Sequence, residues 1–239
     1  MYLRVFEKGF NYSEDGEGNR LVYHLSGCGM VCPWCSNPEG MRRDGGEARE
    51  LSSLLEEILS ARPLFFDGGG VTFTGGECTL QADALIPLIR LLREEGISVA
   101  IESNAATSDF LRVASLCDCL MVDYKSPSAE RLLAVTKGRL SVIENNILTI
   151  IANKYLHLRI PLVHGFNDSE EDLYGSLAFF ERLPRESFDL ELLPYHEYGK
   201  EKWARLGRAY TVKDGKISRE RLALFENRFR EAGIRLLKT

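Results

Sequence analysis

Three cysteines, Cys28, Cys32 and Cys35, lie close together in the segment GCGMVCPWCSNPEG, with the spacing C-x3-C-x2-C. Thiolates are soft ligands that favour iron–sulfur clusters or zinc over hard cations. Three thiolates on one loop can hold three irons of a four-iron cluster, which leaves the fourth iron open to bind and reduce a small molecule. The alternative is a structural zinc site, but such sites usually pair two cysteine or histidine units, and no second unit follows in the sequence. The spacing therefore favours a cluster over zinc.

A second pattern, GGGVTFTGGE, begins at Gly68. Its β-branched and aromatic run Val71–Thr74 predicts a buried strand. Gly75, Gly76 and Glu77 follow at the end of that strand. Two glycines let the backbone approach a ligand closely, and a neighbouring carboxylate can receive an ammonium group. In this position, downstream of the cysteines, GGE resembles the amino-acid-binding motif of the radical S-adenosylmethionine (SAM) enzymes.

The resemblance runs from Phe10 to Trp203 and is closest to the glycyl-radical-enzyme activating enzymes. Five motifs of that family occur here in the family's order, which argues against coincidence. The family motifs D-G-P-G-x-R and C-P-W-C-x-N-P-E match Asp15–Arg20 and Cys32–Glu39. The motifs D/E-T/S-N-G and M-x-D-x-K match Glu102–Ala105 and Met121–Lys125. The motif P-Y-H-x-x-G-x-x-K matches Pro194–Lys202. Glu17 replaces the proline of the first motif, and Ala105 replaces the glycine of the third.

The resemblance implies an anaerobic radical enzyme in which the three cysteines hold a [4Fe-4S] cluster and SAM binds the open iron. Reductive cleavage of SAM would give a 5′-deoxyadenosyl radical, which abstracts hydrogen from a backbone glycine of a partner glycyl radical enzyme. The short segment after Glu39 lacks a ferredoxin-like insert, so the electron would come from an external donor such as flavodoxin or ferredoxin. Two alternatives remain: a radical SAM enzyme acting on a small molecule or another peptide, and a non-enzymatic iron–sulfur electron carrier.

Most of the candidate site residues lie at predicted strand ends or in the loops that follow, which is the catalytic face of an α/β barrel. For SAM, we expect Trp34 near adenine, Gly75, Gly76 and Glu77 at the ammonium group, Ser103 and Asn104 at the methionine or ribose part, Lys125 and Arg159 at the carboxylate, and His196 as a hydrogen-bond partner. Arg159 has apolar neighbours on its strand, so burying it would be costly without an anionic partner.

Two further roles come from the resemblance alone. Glu102, Ser103, Met121 and Asp123 match positions that hold a monovalent cation, and Asp15 matches a position placed to contact the partner's glycine loop. Cys78, which replaces the family's usual proline after GGE, is interpreted as either an inert buried thiol or a redox-sensitive group.

Size and charge exclude several classes of protein. The chain has 239 residues with 30 basic and 35 acidic side chains, a net charge of −5, and no basic stripe, which argues against nucleic-acid binding. It contains no apolar stretch of membrane-spanning length and no signal peptide, so we expect a cytoplasmic protein without a membrane partner. We also expect a monomer. Six cysteines without a secretory signal argue against a disulfide framework.

Strand-like and helical patterns alternate along the chain, which predicts parallel strands with right-handed crossovers. Together with the resemblance, six strand–helix units predict a single domain over residues 1–239, folded as a partial (β/α)6 barrel of the TIM type with helices outside. The predicted strands are Leu21–Leu25, Val71–Thr74, Val99–Glu102, Leu120–Tyr124, Leu158–Val163 and Leu190–Tyr195, with a strand-like end at Ile234–Leu237. The predicted helices are Leu51–Ala61, Ala82–Glu95, Ser108–Leu116, Leu140–Ala152, Glu170–Glu181 and Arg219–Ala232.

Overall fold

The structure, a computed structural model, describes residues 1–237. Its strands are β1 (Tyr2–Tyr12), β2 (Asn19–Leu25), β3 (Glu47–Glu50), β4 (Gly70–Gly75), β5 (Ser98–Ser103), β6 (Cys119–Asp123), β7 (Leu156–Leu162) and β8 (Phe188–Pro194). Its α-helices are α1 (Leu51–Ala61), α2 (Ala82–Glu94), α3 (Phe110–Ala114), α4 (Ala129–Thr136), α5 (Leu140–Ile150), α6 (Glu170–Phe180), α7 (Lys200–Arg205) and α8 (Arg219–Glu231). No helix within the described range is long and apolar enough to cross a membrane.

The described chain divides into two compact units. The first comprises Met1–Gly29, Asn37–Ser103 and Thr107–Met121, and the second comprises Met30–Ser36, Asn104–Ala106 and the described residues from Val122 onward. The division falls inside β6. The prediction of a single domain over residues 1–239 stays a prediction.

The first unit is built on strands in the order β3-β1-β2-β4-β5, followed by β6. β1 pairs antiparallel with both β2 and β3, whereas β2, β4 and β5 are parallel. The β-branched and aromatic residues of β4 are buried, and the rings of Tyr23 and Phe73 lie 5.9 Å apart across the β2–β4 register. Burial on both faces is what a parallel strand covered by crossover helices requires.

Helix α2 covers part of this core. It begins at Ala82, as predicted, and continues through Pro87 to Glu94. Its i, i+3, i+4, i+7 stripe of Leu85, Leu88, Ile89 and Leu92, the spacing of a helix face that packs on a core, is fully buried.

The second unit contains the parallel pair β7–β8, in which Arg159 lies opposite Glu191. Its core includes a cluster of aromatic rings. Tyr124 stacks on Phe179 at 4.9 Å, and Phe180 packs against Phe229 of α8 at 5.9 Å. The predicted strand-like end forms only an isolated bridge, in which Leu236 pairs with Leu190.

All six predicted strands and all six predicted helices occur, with small shifts at their ends. The sequence analysis missed β1, β3, α4 and α7. The parallel strands and their connecting helices confirm the predicted α/β class, and β1 and β3 add an antiparallel extension that the prediction lacked.

Candidate functional site

The first part of the cysteine loop belongs to the first unit. The backbone N–H of Gly27 donates to the Gly40 carbonyl at 2.7 Å, and that of Cys28 donates to the Met41 carbonyl at 3.3 Å. The loop is therefore fixed to the turn Pro38–Met41, which belongs to the same sequence motif.

The other two cysteines of the loop belong to the second unit. A turn brings the N–H of Cys35 to 3.1 Å from the Cys32 carbonyl, and the indole N–H of Trp203 donates to the Cys35 carbonyl at 2.9 Å. Gly199 packs on the same carbonyl so closely that a Cβ there would come within 2.2 Å of it. The motif Pro194–Lys202 thus has one clear local role, because its glycine and the tryptophan that follows it hold the turn around Cys35.

The chemistry of the donor set fits an iron–sulfur cluster. None of Cys28, Cys32 and Cys35 forms a disulfide. Within residues 1–237, no three His, Cys, Asp or Glu side chains form a group that could hold a metal ion. A four-iron cluster takes one thiolate per iron, so its ligands need not converge on one point. The assignment of these three cysteines as cluster ligands stays a prediction.

The GGE segment is held in place by its own backbone. Gly75 has a φ of +117°, a conformation that favours glycine. The N–H of Gly76 donates to the Leu25 carbonyl at 2.8 Å, and that of Glu77 donates to the Gly27 carbonyl at 2.7 Å. A Cβ on Gly76 would lie 2.3 Å from the carbonyl oxygens of both Gly27 and Gly40. Gly75 is therefore required by its backbone conformation, and Gly76 by packing against the start of the cysteine loop, in addition to any ligand.

Glu77 and Ser103, two of the predicted SAM-binding residues, meet directly. Glu77 is 1% exposed. Its Oε1 accepts hydrogen bonds from the Thr79 N–H at 3.2 Å, the Thr79 hydroxyl at 2.6 Å and the Ser103 hydroxyl at 2.8 Å. The carboxylate thus caps the short 3-10 helix Cys78–Gln81. This structural role accounts for its burial without a ligand.

The predicted cation ligands are engaged with neighbouring side chains. In the first unit, Glu102 Oε2 accepts a hydrogen bond from the Thr74 hydroxyl at 2.7 Å, and Met121 is buried. In the second unit, Asp123 pairs with Lys125 at 2.6 Å. The cation site stays a prediction.

Cys78 is fully buried, and its thiol lies 3.6 Å from the Glu102 carbonyl. Burial raises the pKa of this thiol well above its usual value, and the nearby Glu77, Cys117 and Glu102 raise it further. Because the thiolate is the reactive form, these surroundings favour the inert interpretation of Cys78 over the redox-sensitive one.

Lys125 is a buried cation beside two of the cysteines. Its side chain is 11% exposed, and its ammonium group contacts Asp123. Burial lowers the pKa of Lys125, but Asp123 and the sulfurs of Cys32 and Cys35 outweigh that effect, so the pKa lies above its usual value. Asn167, which the sequence analysis missed, donates to the Lys125 carbonyl at 2.8 Å. Lys125 therefore places a fixed positive charge near the sulfurs of this turn.

Arg159 has an anionic partner within the chain. Its Nε lies 3.0 Å from Glu191 Oε2, and the two side chains are only 16% and 18% exposed. Glu191 supplies the anion that the burial of Arg159 requires, so burial alone does not point to the SAM carboxylate. The pairing follows from the β7–β8 register, which places the two residues opposite each other.

Trp34 and His196 each pack on another aromatic ring of the second unit. The Trp34 ring lies 4.4 Å from that of Phe166. His196 stacks on Tyr198 at 4.2 Å, and its Nδ1 is the acceptor for the Tyr198 N–H at 3.3 Å. Burial lowers the pKa of His196, which favours the neutral ring. A neutral ring that accepts at Nδ1 carries its proton on Nε2, where it can be donated to a ligand.

Asn104 and Ala105 follow the end of β5. Asn104 is 7% exposed, and its side-chain oxygen accepts a hydrogen bond from the Ala106 N–H at 3.0 Å. Ala105, at the position where the resembling family has glycine, has a φ of +52°, which is unfavourable for any residue with a Cβ. Asn146 donates to the Ala105 carbonyl at 2.9 Å and holds this conformation.

Asp15 lies in the connection between β1 and β2 and is half-buried. The side-chain amide of Asn11 donates to its carboxylate. The Asp15 carbonyl accepts a hydrogen bond from the Thr72 hydroxyl at 2.6 Å. The predicted partner-contact residue is therefore held at both its side chain and its backbone.

Known proteins resemble this chain over most of its length. The family model described as the radical SAM superfamily matches residues 22–177. The chain is 33% identical to the pyruvate formate-lyase 2-activating enzyme of Escherichia coli (strain K12), over 88% of this chain and 83% of that enzyme. It is 28% identical to the choline trimethylamine-lyase activating enzyme of Oleidesulfovibrio alaskensis, over 83% of this chain and 85% of that enzyme.

A solved structure shows the same fold. The crystal structure of a domain of the pyruvate-formate lyase-activating enzyme from Bacteroides vulgatus matches with a TM-score of 0.59 and 26% identity, over 71% of this chain and 98% of that one. This likeness confirms the predicted fold class, the partial TIM-type barrel of the radical SAM enzymes. Because the superfamily match and the 33% identical relative both cover most of the chain, the protein belongs to the radical SAM superfamily and, within it, to the family of the pyruvate formate-lyase-activating enzymes.

Proposed function

We propose that the protein activates a glycyl radical enzyme. When bound, a [4Fe-4S] cluster and SAM supply the chemistry, which is reductive cleavage of SAM to a 5′-deoxyadenosyl radical that takes hydrogen from a backbone glycine of the partner. The observation that carries this proposal is the 33% identity, across 88% of the chain, to a relative named as an activating enzyme. The three cysteines at the C-x3-C-x2-C spacing, none of which forms a disulfide, support it.

The cysteine loop holds the cluster in this proposal. Cys28, Cys32 and Cys35 would each contribute one thiolate. Lys125, whose pKa is raised by Asp123 and by the sulfurs of two of these cysteines, stays protonated and favours their anionic form. The turn around Cys35 is held by the indole N–H of Trp203, which donates to the Cys35 carbonyl and would orient the last thiolate.

The methionine part of SAM carries an ammonium group and a carboxylate, and both ends have candidate partners. Gly75, Gly76 and Glu77 would receive the ammonium group, because backbone carbonyls and a carboxylate accept its hydrogen bonds. Lys125 and Arg159 are the cations proposed for the carboxylate. Arg159 would have to share its guanidinium between SAM and Glu191, which its planar fork of five donors permits.

The remaining SAM contacts fall to polar and aromatic side chains. Ser103 and Asn104 would serve the methionine or ribose part, and Trp34 would present a ring near adenine. His196 would donate its Nε2 proton, since its Nδ1 already accepts from Tyr198. A monovalent cation at Glu102, Ser103, Met121 and Asp123 would compete with the hydrogen bonds that Glu102 and Ser103 make and with the Asp123–Lys125 pair.

Two partners complete the proposal. Asp15 would contact the glycine loop of the glycyl radical enzyme. The segment between Glu39 and α1 contains only the end of the 3-10 turn Pro38–Met41 and the short strand β3, with no further cysteine. The electron would therefore come directly from an external donor such as flavodoxin or ferredoxin. We expect the protein to act as a cytoplasmic monomer.

The test uses the anaerobically reconstituted protein, reduced and supplied with SAM. Alone, it should form 5′-deoxyadenosine slowly. A glycyl radical enzyme, or a peptide of its glycine loop, should speed this formation and yield a glycine-centred radical in electron paramagnetic resonance.

Two other results would replace the proposal. Consumption of a small molecule or another peptide with SAM, while every glycyl radical enzyme tested stays radical-free, would favour the other class of radical SAM enzyme. A reduced cluster whose spectrum does not respond to SAM would favour an electron carrier.

A further inference from the structure

Arg20 is an arginine buried inside the first unit. It is 1% exposed and is the largest fully buried side chain of the described residues. Its Nε donates to the Thr72 hydroxyl at 2.7 Å, its Nη2 donates to the carbonyls of Val71 and Ser98 at 2.8 and 3.1 Å, and its Nη1 donates to the Glu17 carbonyl at 3.2 Å. Burying a guanidinium is costly unless its N–H groups have hydrogen-bond acceptors. These four acceptors around Arg20 meet this requirement, so the fold provides a specific site for this side chain.

The bond from Arg20 sets the direction of the next hydrogen bond. A guanidinium can only donate, so the fully buried Thr72 hydroxyl must act as its acceptor. The single hydroxyl proton of Thr72 is then available to the Asp15 carbonyl, 2.6 Å away. The result is a one-way relay from the Arg20 Nε through the Thr72 hydroxyl to the Asp15 backbone.

The turn that contains Asp15 is fixed by further contacts. Asn11 donates to the Asp15 carboxylate, and the Ser13 N–H donates to the Gly18 carbonyl at 3.0 Å. Gly16 has a φ of +115°, and a Cβ there would come within 2.9 Å of the Arg20 side chain. The arginine stem thus packs directly against the turn whose backbone its relay holds.

We propose that Arg20 and Thr72 are positioning residues that hold Asp15 ready for the glycine loop of the partner. This inference rests on the proposed function, in which the Asp15 carboxylate contacts that loop. A preordered carboxylate avoids the entropy cost of ordering the turn during association. Neither positioning residue touches the reacting atoms, so the relay acts on recognition of the partner and not on the cleavage of SAM.

The test compares two variants of one side chain in the reconstituted protein. Thr72→Val keeps the shape of the side chain but removes the hydroxyl, and Thr72→Ser keeps the hydroxyl. With a glycine-loop peptide as substrate, we expect Thr72→Val to raise KM about five- to ten-fold, the effect of one hydrogen bond. Its kcat and its SAM cleavage without peptide should change less than about two-fold, and Thr72→Ser should behave like wild type. Ser98→Ala is the matched control, because its hydroxyl contacts Arg20 at 3.4 Å but not Asp15.

A double variant separates positioning from general stability. In an Asp15→Ala background, the carboxylate that the relay positions is gone, so adding Thr72→Val should not raise KM further. A purely structural role for Thr72 would give the same loss in both backgrounds and would overturn the inference.

Amide hydrogen exchange tests the relay without any activity assay. In wild type, the Ser13 N–H, which donates to the Gly18 carbonyl across the turn, should be protected, and Thr72→Val should speed its exchange while exchange in β4 stays unchanged. Rapid exchange of the Ser13 N–H in wild type would refute the preordered turn, and this measurement requires no variant to fold.

The outcomes distinguish this inference from the proposed function. If Asp15→Ala lowers the glycyl radical yield but Thr72→Val leaves KM unchanged, the relay is wrong and the proposed function stands. If Asp15→Ala has no effect on the radical, Asp15 does not contact the partner and the inference falls with it. If wild type generates no glycyl radical, the proposed function fails.

Discussion

The pair formed by Arg159 and Glu191 allows a structural role to be separated from a ligand-binding role. The two side chains lie opposite each other on β7 and β8 with 3.0 Å between Nε and Oε2. Arg159→Met removes the charge and keeps most of the apolar stem, whereas Glu191→Gln removes the opposite charge and keeps the shape. If Arg159 also binds the SAM carboxylate, the two variants should have different effects on SAM.

The expected loss of stability follows from the burial of the pair. Removing one partner of a fully buried pair costs about 3–5 kcal/mol, and exposed pairs contribute about 0.2–1 kcal/mol. At 16% and 18% exposure the pair lies between these limits, so each variant should lower the free energy of unfolding by about 2 kcal/mol. For a chain of this length that corresponds to a Tm lower by about 4–8 °C.

The effect on SAM should be asymmetric. Losing a charge-assisted partner of the carboxylate costs about 1.5–3 kcal/mol, so Arg159→Met should weaken SAM binding by about ten- to a hundred-fold. Glu191→Gln should leave the affinity unchanged or improve it, because it releases Arg159 from a competing carboxylate.

The assay pairs thermal unfolding with SAM titration of the reconstituted protein. Arg230→Met is a matched control, because its pair with Glu226 is on the surface and should contribute little. Unchanged SAM affinity in Arg159→Met would leave Arg159 as a strand-pairing residue only. Equal weakening in both variants would show that SAM responds to distortion of the sheet and not to the guanidinium.

The remaining predictions concern single residues. Cys28→Ala should abolish cluster iron content and SAM cleavage, while Cys117→Ala should leave iron content near that of wild type; full iron content in the first variant would refute the assignment. Because burial raises its pKa, Cys78 should resist alkylation at about pH 9, where ordinary cysteines are largely thiolate, and react rapidly once the protein is denatured; fast reaction in the folded state would contradict its burial. Because burial lowers its pKa, His196 stays neutral when the pH falls to about 6.5; protonation below that pH would remove the Nδ1 acceptor of the Tyr198 N–H and release the ring, so SAM affinity should decline only there, and His196→Gln should remove the decline. Ala105→Gly should relieve a positive φ worth about 1–2 kcal/mol, which the lost burial of the methyl group (about 0.8 kcal/mol) and the entropy cost of glycine (about 0.5–1 kcal/mol) nearly cancel, so Tm should change little; a loss of stability above about 1 kcal/mol in thermal unfolding would show that the backbone there is not strained.

The parts of the fold that the sequence predicted are those with a strong local signal. Helix α1 has the bounds that were predicted, and the strands of the parallel sheet are short β-branched runs bounded by turns. The missed elements have weaker signals. In β1 only Leu3 and Val5 are buried, and charged residues interrupt the apolar pattern along the rest of the strand. This is expected of a strand that pairs outside the parallel core. Helix α4 spans eight residues and has two buried positions, although Ser128 caps it through the Arg131 N–H.

The parts of the site that the sequence did not predict depend on register and burial. Nothing in the local sequence around Arg159 indicates that Glu191 will lie opposite it, because that contact is set by the alignment of two strands joined by a long crossover. The relay from Arg20 also joins residues far apart in the chain, and only β2–β4 pairing and the turn before β2 bring them together. The sequence could show which residue types the chemistry requires, but not which of them the fold has already paired.

That distinction changes how the motif residues should be tested. Gly76 lies so close to two backbone carbonyls, and Gly199 to a third, that neither position has room for a side chain. Glu77 accepts three hydrogen bonds within its own unit. Glu77→Ala would therefore remove a helix cap together with any ammonium contact, and a loss of SAM binding in that variant would not separate the two. Glu77→Gln keeps a carbonyl oxygen able to accept from Thr79 and Ser103 and removes only the charge. An ammonium ligand should weaken in this variant while Tm stays close to that of wild type, and a residue that only caps the helix should leave SAM affinity unchanged.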